Sequence, residues 1–346
     1  MLFFSGNGQM DKTFSTMLYK TNEEITGYAW NVSDEHMINV NQSKHHTVWI
    51  TVESLLLLCI LCGNTLTICA VVLSRRLARA TSSQFVLNLA VSDLLVGLFL
   101  PYHMSFYWDN NQGASEIACL LKFTCMVFAF CNSLFSLICI SVDRYIYIMY
   151  PLHYSTRVTK RLAWTVIGSG WIYSMIIATT PLYWNNWPAP SCELHEVLPV
   201  PFTMLVLTPN FALIWIIMFM VYWRIWREAA SVRRRWGNYQ GKPPDGKSIQ
   251  VVLLVLGSFS ICWMPFFTVL ILQAFGCLRQ SFSSTLYKSA LALAMTNSWM
   301  NPLIYAWKNS EFLSAFSQLL HCKIPTTDPT GCGSIGQIAL EGGPSH

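Results

Sequence analysis

A carboxylate in the middle of an apolar run demands an explanation. Asp93 stands in Asn88-Leu89-Ala90-Val91-Ser92-Asp93-Leu94. Ionisable groups in such a setting are costly and mark function. The side chain must face the interior of a helix bundle and meet a partner or an ion there. Other apolar runs carry Asn64 after Gly63, Ser133 beside Asn132, and Asn297, Ser298 and Asn301. Together these residues supply oxygen donors and one negative charge, a set suited to a small cation such as sodium. A hydrogen-bonded network without an ion accounts for the same residues equally well. Two prolines lie inside runs, in Trp263-Met264-Pro265 and Asn301-Pro302. Each removes a backbone hydrogen bond and kinks its helix. The first kink gives a hinge where the inner half of a helix can swing, and Tyr305 lies one turn beyond the second. Asp143-Arg144-Tyr145 closes another run; taken alone, it also reads as a solvated ion pair.

The elements that must position these residues follow from composition. Of 346 residues, 53% are apolar and 11% are charged, with net charge +5. Mean hydropathy is +0.40. Soluble domains carry roughly 25% charged residues, so much of this surface is expected to face lipid. A bilayer core of about 30 Å needs about 20 helical residues. Seven runs meet that length: Val48–Leu73, Phe85–Tyr107, Ala118–Ile148, Leu162–Tyr183, Val197–Trp223, Ile249–Phe275 and Leu286–Trp307. Arg75, Arg76 and Arg79 follow the first run, Arg157, Lys160 and Arg161 the third, and Arg233, Arg234 and Arg235 the fifth. If the helices alternate, these loops share one side. Asp109, Glu116, Glu193 and Glu196 lie on the other. Basic loops stay in the cytoplasm, so the N-terminus is expected outside.

That orientation sorts the remaining signals. Residues 1–47 form an extracellular tail without a signal-peptide pattern, and carry acceptor sequons at Asn31 and Asn41. Residues 48–307 hold the bundle. Cys119 and Cys192 both fall outside, where a disulfide persists, and a bond between them would pin the loop after the fourth run. Cys277 is also outside and has no evident partner. Cys59, Cys62, Cys69, Cys125, Cys131, Cys139 and Cys262 sit in apolar runs and read as small buried hydrophobes. Phe312, Ala315, Phe316, Leu319 and Leu320 recur at helical spacing within 308–322. This predicts a short amphipathic eighth helix on the membrane surface. Cys322 at its end is either palmitoylated or a free thiol. Residues 323–346 read as a disordered cytoplasmic tail. The fold class is therefore an all-α membrane protein, a seven-transmembrane helix bundle with a membrane-surface helix 8.

Several function classes find no support. The cysteines and histidines lack zinc spacing, and no metal is expected beyond sodium. The eight histidines sit mainly in tails and loops, so no catalytic triad or metalloprotease pattern is available. An enzyme is not expected, nor is nucleic acid a partner. A transporter or channel is the chief rival; it would need a polar path or paired broken helices, which the runs do not offer.

The ordered set of motifs resembles the rhodopsin-like (class A) G-protein-coupled receptors. Its pieces are Gly63-Asn64, Leu89-Ala90-Val91-Ser92-Asp93, Asp143-Arg144-Tyr145, Trp171, Pro181, Cys262-Trp263-Met264-Pro265 and Asn301-Pro302-Leu303-Ile304-Tyr305, spread over about 48–322. The resemblance implies a plasma-membrane receptor that passes binding of an extracellular small molecule to a heterotrimeric G protein by outward movement of helix six. Asp93, Ser133, Asn297, Ser298 and Asn301 match the family's sodium site, so sodium is implied as an allosteric modulator and no other cofactor is. Arg144 is implied to be held by Asp143 at rest, with Asp245 as a second lock. Arg144, Leu152 and Tyr305 would then meet the G protein, with Tyr145, Tyr222, Pro265 and Pro302 in the switch. Membrane lipids and arrestin are further partners that the resemblance allows.

Within the family, the chain looks nearest to the amine and adenosine receptors, yet it lacks the ligand determinants of both. Met126 replaces the aspartate of amine receptors. Leu270 and Met295 replace the asparagine and histidine of adenosine receptors, and Met295 also excludes an opsin lysine. Taking Tyr222 as the signalling tyrosine of helix five, Ile214 stands where the family has a proline, and Pro209 lies earlier. The expected pocket comprises His103, Tyr107, Lys122, Met126, Phe130, Trp263, Phe266, Phe267, Tyr287 and Leu291, with Lys122 and His103 as polar handles. It suits a neutral or weakly acidic apolar molecule better than a bare cation. The alternatives are a cation over Phe266 or Phe267, plain helix packing, and an orphan or constitutively active receptor.

Overall fold

The computed structural model describes residues 46–107, 115–189, 191–236, 246–278 and 280–325. The sequons Asn31 and Asn41, the lock partner Asp245 and the tail from 326 onward lie outside the described residues. The chain divides into two units, Met1–Val52 and Glu53–His346. The described part of the first is the opening of a helix in which Thr51 Oγ1 donates to the Thr47 carbonyl at 2.8 Å.

In chain order the described helices are α1 (His46–Leu73), α2 (Arg75–Arg79), α3 (Thr81–Ser105), α4 (Glu116–Met149), α5 (Pro151–Arg157), α6 (Lys160–Tyr183), α7 (Leu194–Val197) and α8 (Val200–Phe202). A π-helical turn (Thr203–Leu207) leads into α9 (Thr208–Trp236), followed by α10 (Gly246–Ala274), α11 (Gln280–Lys308) and α12 (Ser310–Leu320). The spans His46–Leu73, Thr81–Ser105, Glu116–Met149, Lys160–Tyr183, Val200–Glu228 and Gly257–Ala274 are long and apolar enough to cross a membrane. The seventh, α11, has 29 residues, about 43 Å of helix. Its content of Lys288, Asn297, Ser298 and Asn301 lowers its hydropathy without shortening it. All described regular structure is helical, as it must be where backbone groups have no water to bond.

Local chemistry fixes the ends. Ser115, Thr159 and Asn309 accept backbone N–H groups at the starts of α4, α6 and α12, satisfying donors that would otherwise be orphaned. Past α10, Gly276 adopts φ +66°, and the Cys277 amide reaches back to the Leu272 carbonyl at 2.9 Å. This left-handed closure is what glycine permits.

The arrangement of polarity is inverted relative to a soluble domain. Asp93, Asn64, Asn132, Ser133 and Ser136 are buried, whereas Leu55, Ile172, Ile176 and Leu205 are exposed. The same inversion corrects the expectation for Cys59 and Cys62. They are exposed on α1; an apolar thiol needs no burial when the surrounding solvent is hydrocarbon. Cys139 and Cys262 are buried, and Cys69, Cys125 and Cys131 are partly so. Helices approach closely where side chains vanish. A Cβ on Gly63 would meet the Pro302 ring at 3.1 Å, and one on Gly170 would meet the Phe135 ring at 2.3 Å.

Candidate ligand cavity and signalling core

Cys119 and Cys192 form a disulfide, which ties the loop after α6 to the start of α4. Lys122 Nζ donates to the Cys192 carbonyl at 3.2 Å, and Ser284 Oγ donates to Glu193 Oε1 at 3.2 Å. These three attachments hold Leu194 of α7, itself buried, as part of the wall of a cavity of 80 Å³. His103, Met126, Phe130, Trp263, Phe266, Phe267, Tyr287 and Leu291 line it, together with Phe123, Phe211 and Ile214. Ring packing shapes the interior: Phe211 stacks on Phe267 at 3.8 Å, and Phe130 meets Trp263 edge-on at 5.0 Å.

Tyr107 and Lys122 are not among the wall residues. The Tyr107 hydroxyl donates to Glu53 Oε1 at 2.7 Å, and Glu53 Oε2 lies 3.2 Å from His103 Nδ1. Lys122 turns to the loop, with its ammonium 4.6 Å from the Phe106 ring centre. Lys288 adds a charge to this outer layer, 4.9 Å from the Tyr107 ring centre; such cation–π contacts partly replace lost water. Lys288 thus stands with Glu53 and Lys122 as a charge of this layer. Among the wall residues that sequence reasoning missed, two are polar. Tyr173 of α6 hydrogen-bonds Asn210 of α9, and both line the cavity. Asn210 carried the signal that flagged Asp93, a polar residue in an apolar run. Tyr173 carried none, because its partner is 37 positions away.

Deeper in the bundle, Asp93 is fully buried. Its Oδ1 accepts from Ser133 Oγ at 2.7 Å and its Oδ2 from Asn301 Nδ2 at 2.8 Å. Ser298 also hydrogen-bonds it. Asn64 Nδ2 donates to the Ser298 carbonyl at 3.0 Å, linking α1 to α11. Asn88 Nδ2 donates to Ser136 Oγ at 2.6 Å while its Oδ1 accepts from Trp171 Nε1 at 2.8 Å. The side-chain oxygens of Asn297 and Asn301 are buried without a protein donor.

At the inner end, Arg144 Nε lies 3.8 Å from Asp143 Oδ2. Tyr154 of α5 donates to Asp143 Oδ1 at 2.7 Å. Burial and the neighbouring carboxylate push that phenol's pKa up, which keeps it a donor. Arg144, Tyr154 and Tyr305 line a second cavity, of 500 Å³, together with Lys308 and Glu311. Tyr222 is buried against Ile225, Tyr145 and Ile148. Leu152 is 89% exposed. Pro265 and Pro302 both lie inside their helices.

The sequence model of the seven-transmembrane receptors of the rhodopsin family matches residues 63–305. The chain belongs to that family. Relatives include the adenosine receptor A2a of Homo sapiens, 30% identical over 313 residues, covering 80% of this chain and 73% of the relative. The 5-hydroxytryptamine receptor 4 of Cavia porcellus is 27% identical over 316 residues, covering 81% of each. The alpha-1A adrenergic receptor of Oryzias latipes is 31% identical over 304 residues, covering 75% of this chain and 64% of the relative. The protein is thus a multi-pass, G-protein-coupled receptor with amine- and adenosine-receptor relatives. Those relatives are receptors rather than enzymes.

Proposed function

We propose that this receptor stands in the plasma membrane with its N-terminus outside and responds to a neutral or weakly acidic, apolar small molecule held beside Trp263. The observation that carries the reading is the aromatic cavity, which reaches Trp263 of α10 just before the Pro265 kink. A ligand there can bias α10 between two positions. Only a difference in its affinity for those positions shifts the equilibrium. Outward movement of the inner half of α10 then opens the surface around Arg144, Tyr305 and Leu152 to the G protein, with Tyr145 and Tyr222 repacking. Asp143 holds Arg144 at rest, and Asp245 adds a second hold. The receptor works by population shift and not by catalysis.

The domain limits follow the same reading: an extracellular tail over 1–47 glycosylated at Asn31 and Asn41, the bundle over 48–307, the surface helix over 308–322 palmitoylated at Cys322, and a cytoplasmic tail over 323–346. Arrestin and membrane lipids join the G protein as partners. For sodium, the donor set fits. Asp93, Ser133, Ser298 and the unpartnered amide oxygens of Asn297 and Asn301 offer the hard oxygen ligands that such a cation takes. Bound there, sodium would supply positive charge that favours the resting arrangement.

A second reading has its own support. At 80 Å³ the cavity is far below the roughly 300–1,000 Å³ of common ligand sites, which fits a receptor active without a conventional ligand. One experiment addresses both. G-protein activation is measured in cells expressing the chain, against amine, purine and lipid panels, with Arg144→Ala and Asp93→Asn in parallel. A ligand response lost in Arg144→Ala supports the first reading. A ligand-independent signal lost in Arg144→Ala supports the second. Surface-delivered protein that activates no G protein under any condition sinks both.

A further inference from the structure

The walls of the outer cavity are unequal. His103, Phe123, Met126, Phe130, Trp263 and Phe267 are buried. The partly exposed wall residues are Val127 and Cys131 of α4, Tyr173 and Ile177 of α6, Leu207 of the π-helical turn, Asn210 of α9, and Tyr287. All but Tyr287 lie on one side, where α6 and α9 flank α4. Those two helices pack chiefly on α4 and hardly on each other. The π-helical turn Thr203–Leu207 falls at this gap, and the Tyr173–Asn210 hydrogen bond spans it.

The surface around the gap is apolar on both banks. Ile172 is 66% and Ile176 59% exposed on α6; Leu205 is 71% and Leu213 56% exposed opposite. In a membrane-spanning chain such a surface meets hydrocarbon. Leu194 is buried over the cavity, and the disulfide, Lys122 and Glu193 hold its loop down.

We infer that the cavity is entered sideways from the lipid, between α6 and α9 past the Tyr173–Asn210 hydrogen bond, by a small, neutral, membrane-partitioned molecule. The inference rests on the cavity being the ligand site proposed above. Charge follows from the route, since an ion would pay several kcal/mol to cross hydrocarbon. Tyr173 and Asn210 then act twice, as the latch of the entrance and as the polar contacts of the occupant.

The test uses halothane, a small neutral haloalkane that partitions into bilayers and attaches covalently under ultraviolet light. The full-length receptor in lipid bilayers is labelled and its labelled residues are mapped. Attachment at Phe123 and Met126, inside the cavity, is expected to saturate with halothane concentration. Attachment at the lipid-facing Ile176 and Leu205 is not, and serves as the internal reference. Ile177→Trp, which narrows the entrance, should slow interior labelling by about tenfold, and Tyr173→Phe, which unlatches it, should speed it by a few-fold. Leu207→Trp narrows the opposite bank and carries the test if Ile177→Trp melts before labelling. Interior labelling that is unchanged by both narrowing variants, or that never exceeds the reference, overturns the inference. No G protein is involved in the readout. A receptor answering a panel compound while labelling ignores the entrance keeps the receptor reading and loses the route. A labelled but silent receptor keeps the route and loses the ligand-driven reading.

Discussion

Around Asp93 the helices are joined by hydrogen bonds, from Ser133 and Asn301 to the carboxylate and from Trp171 to Asn88. Around Phe267 they are joined by rings, stacked on Phe211 and tilted against Trp263. Hydrogen bonds in a medium without water are directional and discrete, so the inner half has few alternative arrangements. Apolar packing constrains volume more than direction, and cores keep their fold while such side chains change if volume is conserved. The inner half is therefore where the chain keeps its family's pattern, and the outer half is where it departs from the amine and adenosine receptors. A receptor can change its ligand by repacking one end while its switch stays fixed at the other.

This contrast can be broken at several points. Arg144→Ala should lower G-protein activation by tenfold or more, about 1.4 kcal/mol or greater, while leaving the outer cavity unaffected; nucleotide exchange at matched surface expression reads the first and halothane labelling the second. Phe267→Ala empties the stack in the outer half and should cost about 3–5 kcal/mol, seen as a lower melting temperature in detergent. An unchanged melt would mean that the outer half is already loose. Gly170→Ala presses on Phe135 between the halves and should cost about 1–3 kcal/mol in the same assay. Trp171→Phe removes one donor from Asn88 and should cost only about 1 kcal/mol. A loss as large as that of Phe267→Ala would show that the inner network acts as a unit.

Much of this could be read from the residues in order. The spans follow from apolar runs set against bilayer thickness, and the capping residues Thr159 and Asn309 sit where the helices α6 and α12 begin. The interior placement of Asp93 follows from the cost of a carboxylate in lipid. Cys119 and Cys192 were placed on one side by the basic loops alone. Helix seven was legible as a run of bilayer length, although its polar residues lower its hydropathy. Cys59 and Cys62 of α1 were misread, because one apolar residue looks much like another until a face is assigned to it.

What the sequence by itself determined was therefore one-dimensional: which stretches cross, in which order, and which residues cannot face lipid. Tertiary structure alone decided which of those residues meet. Lys122 was expected to face the cavity as a polar handle, and in the fold the Cys192 carbonyl takes its ammonium instead. Glu53 had no partner until α1 and α3 brought it to His103 and Tyr107. Tyr173 and Asn210 became an entrance only because α6 and α9 both lean on α4. Periodicity and transfer cost are properties of single helices. Contacts between helices depend on their relative rotation and depth, which small residues such as Gly63 and Gly170 set in space and not in order along the chain.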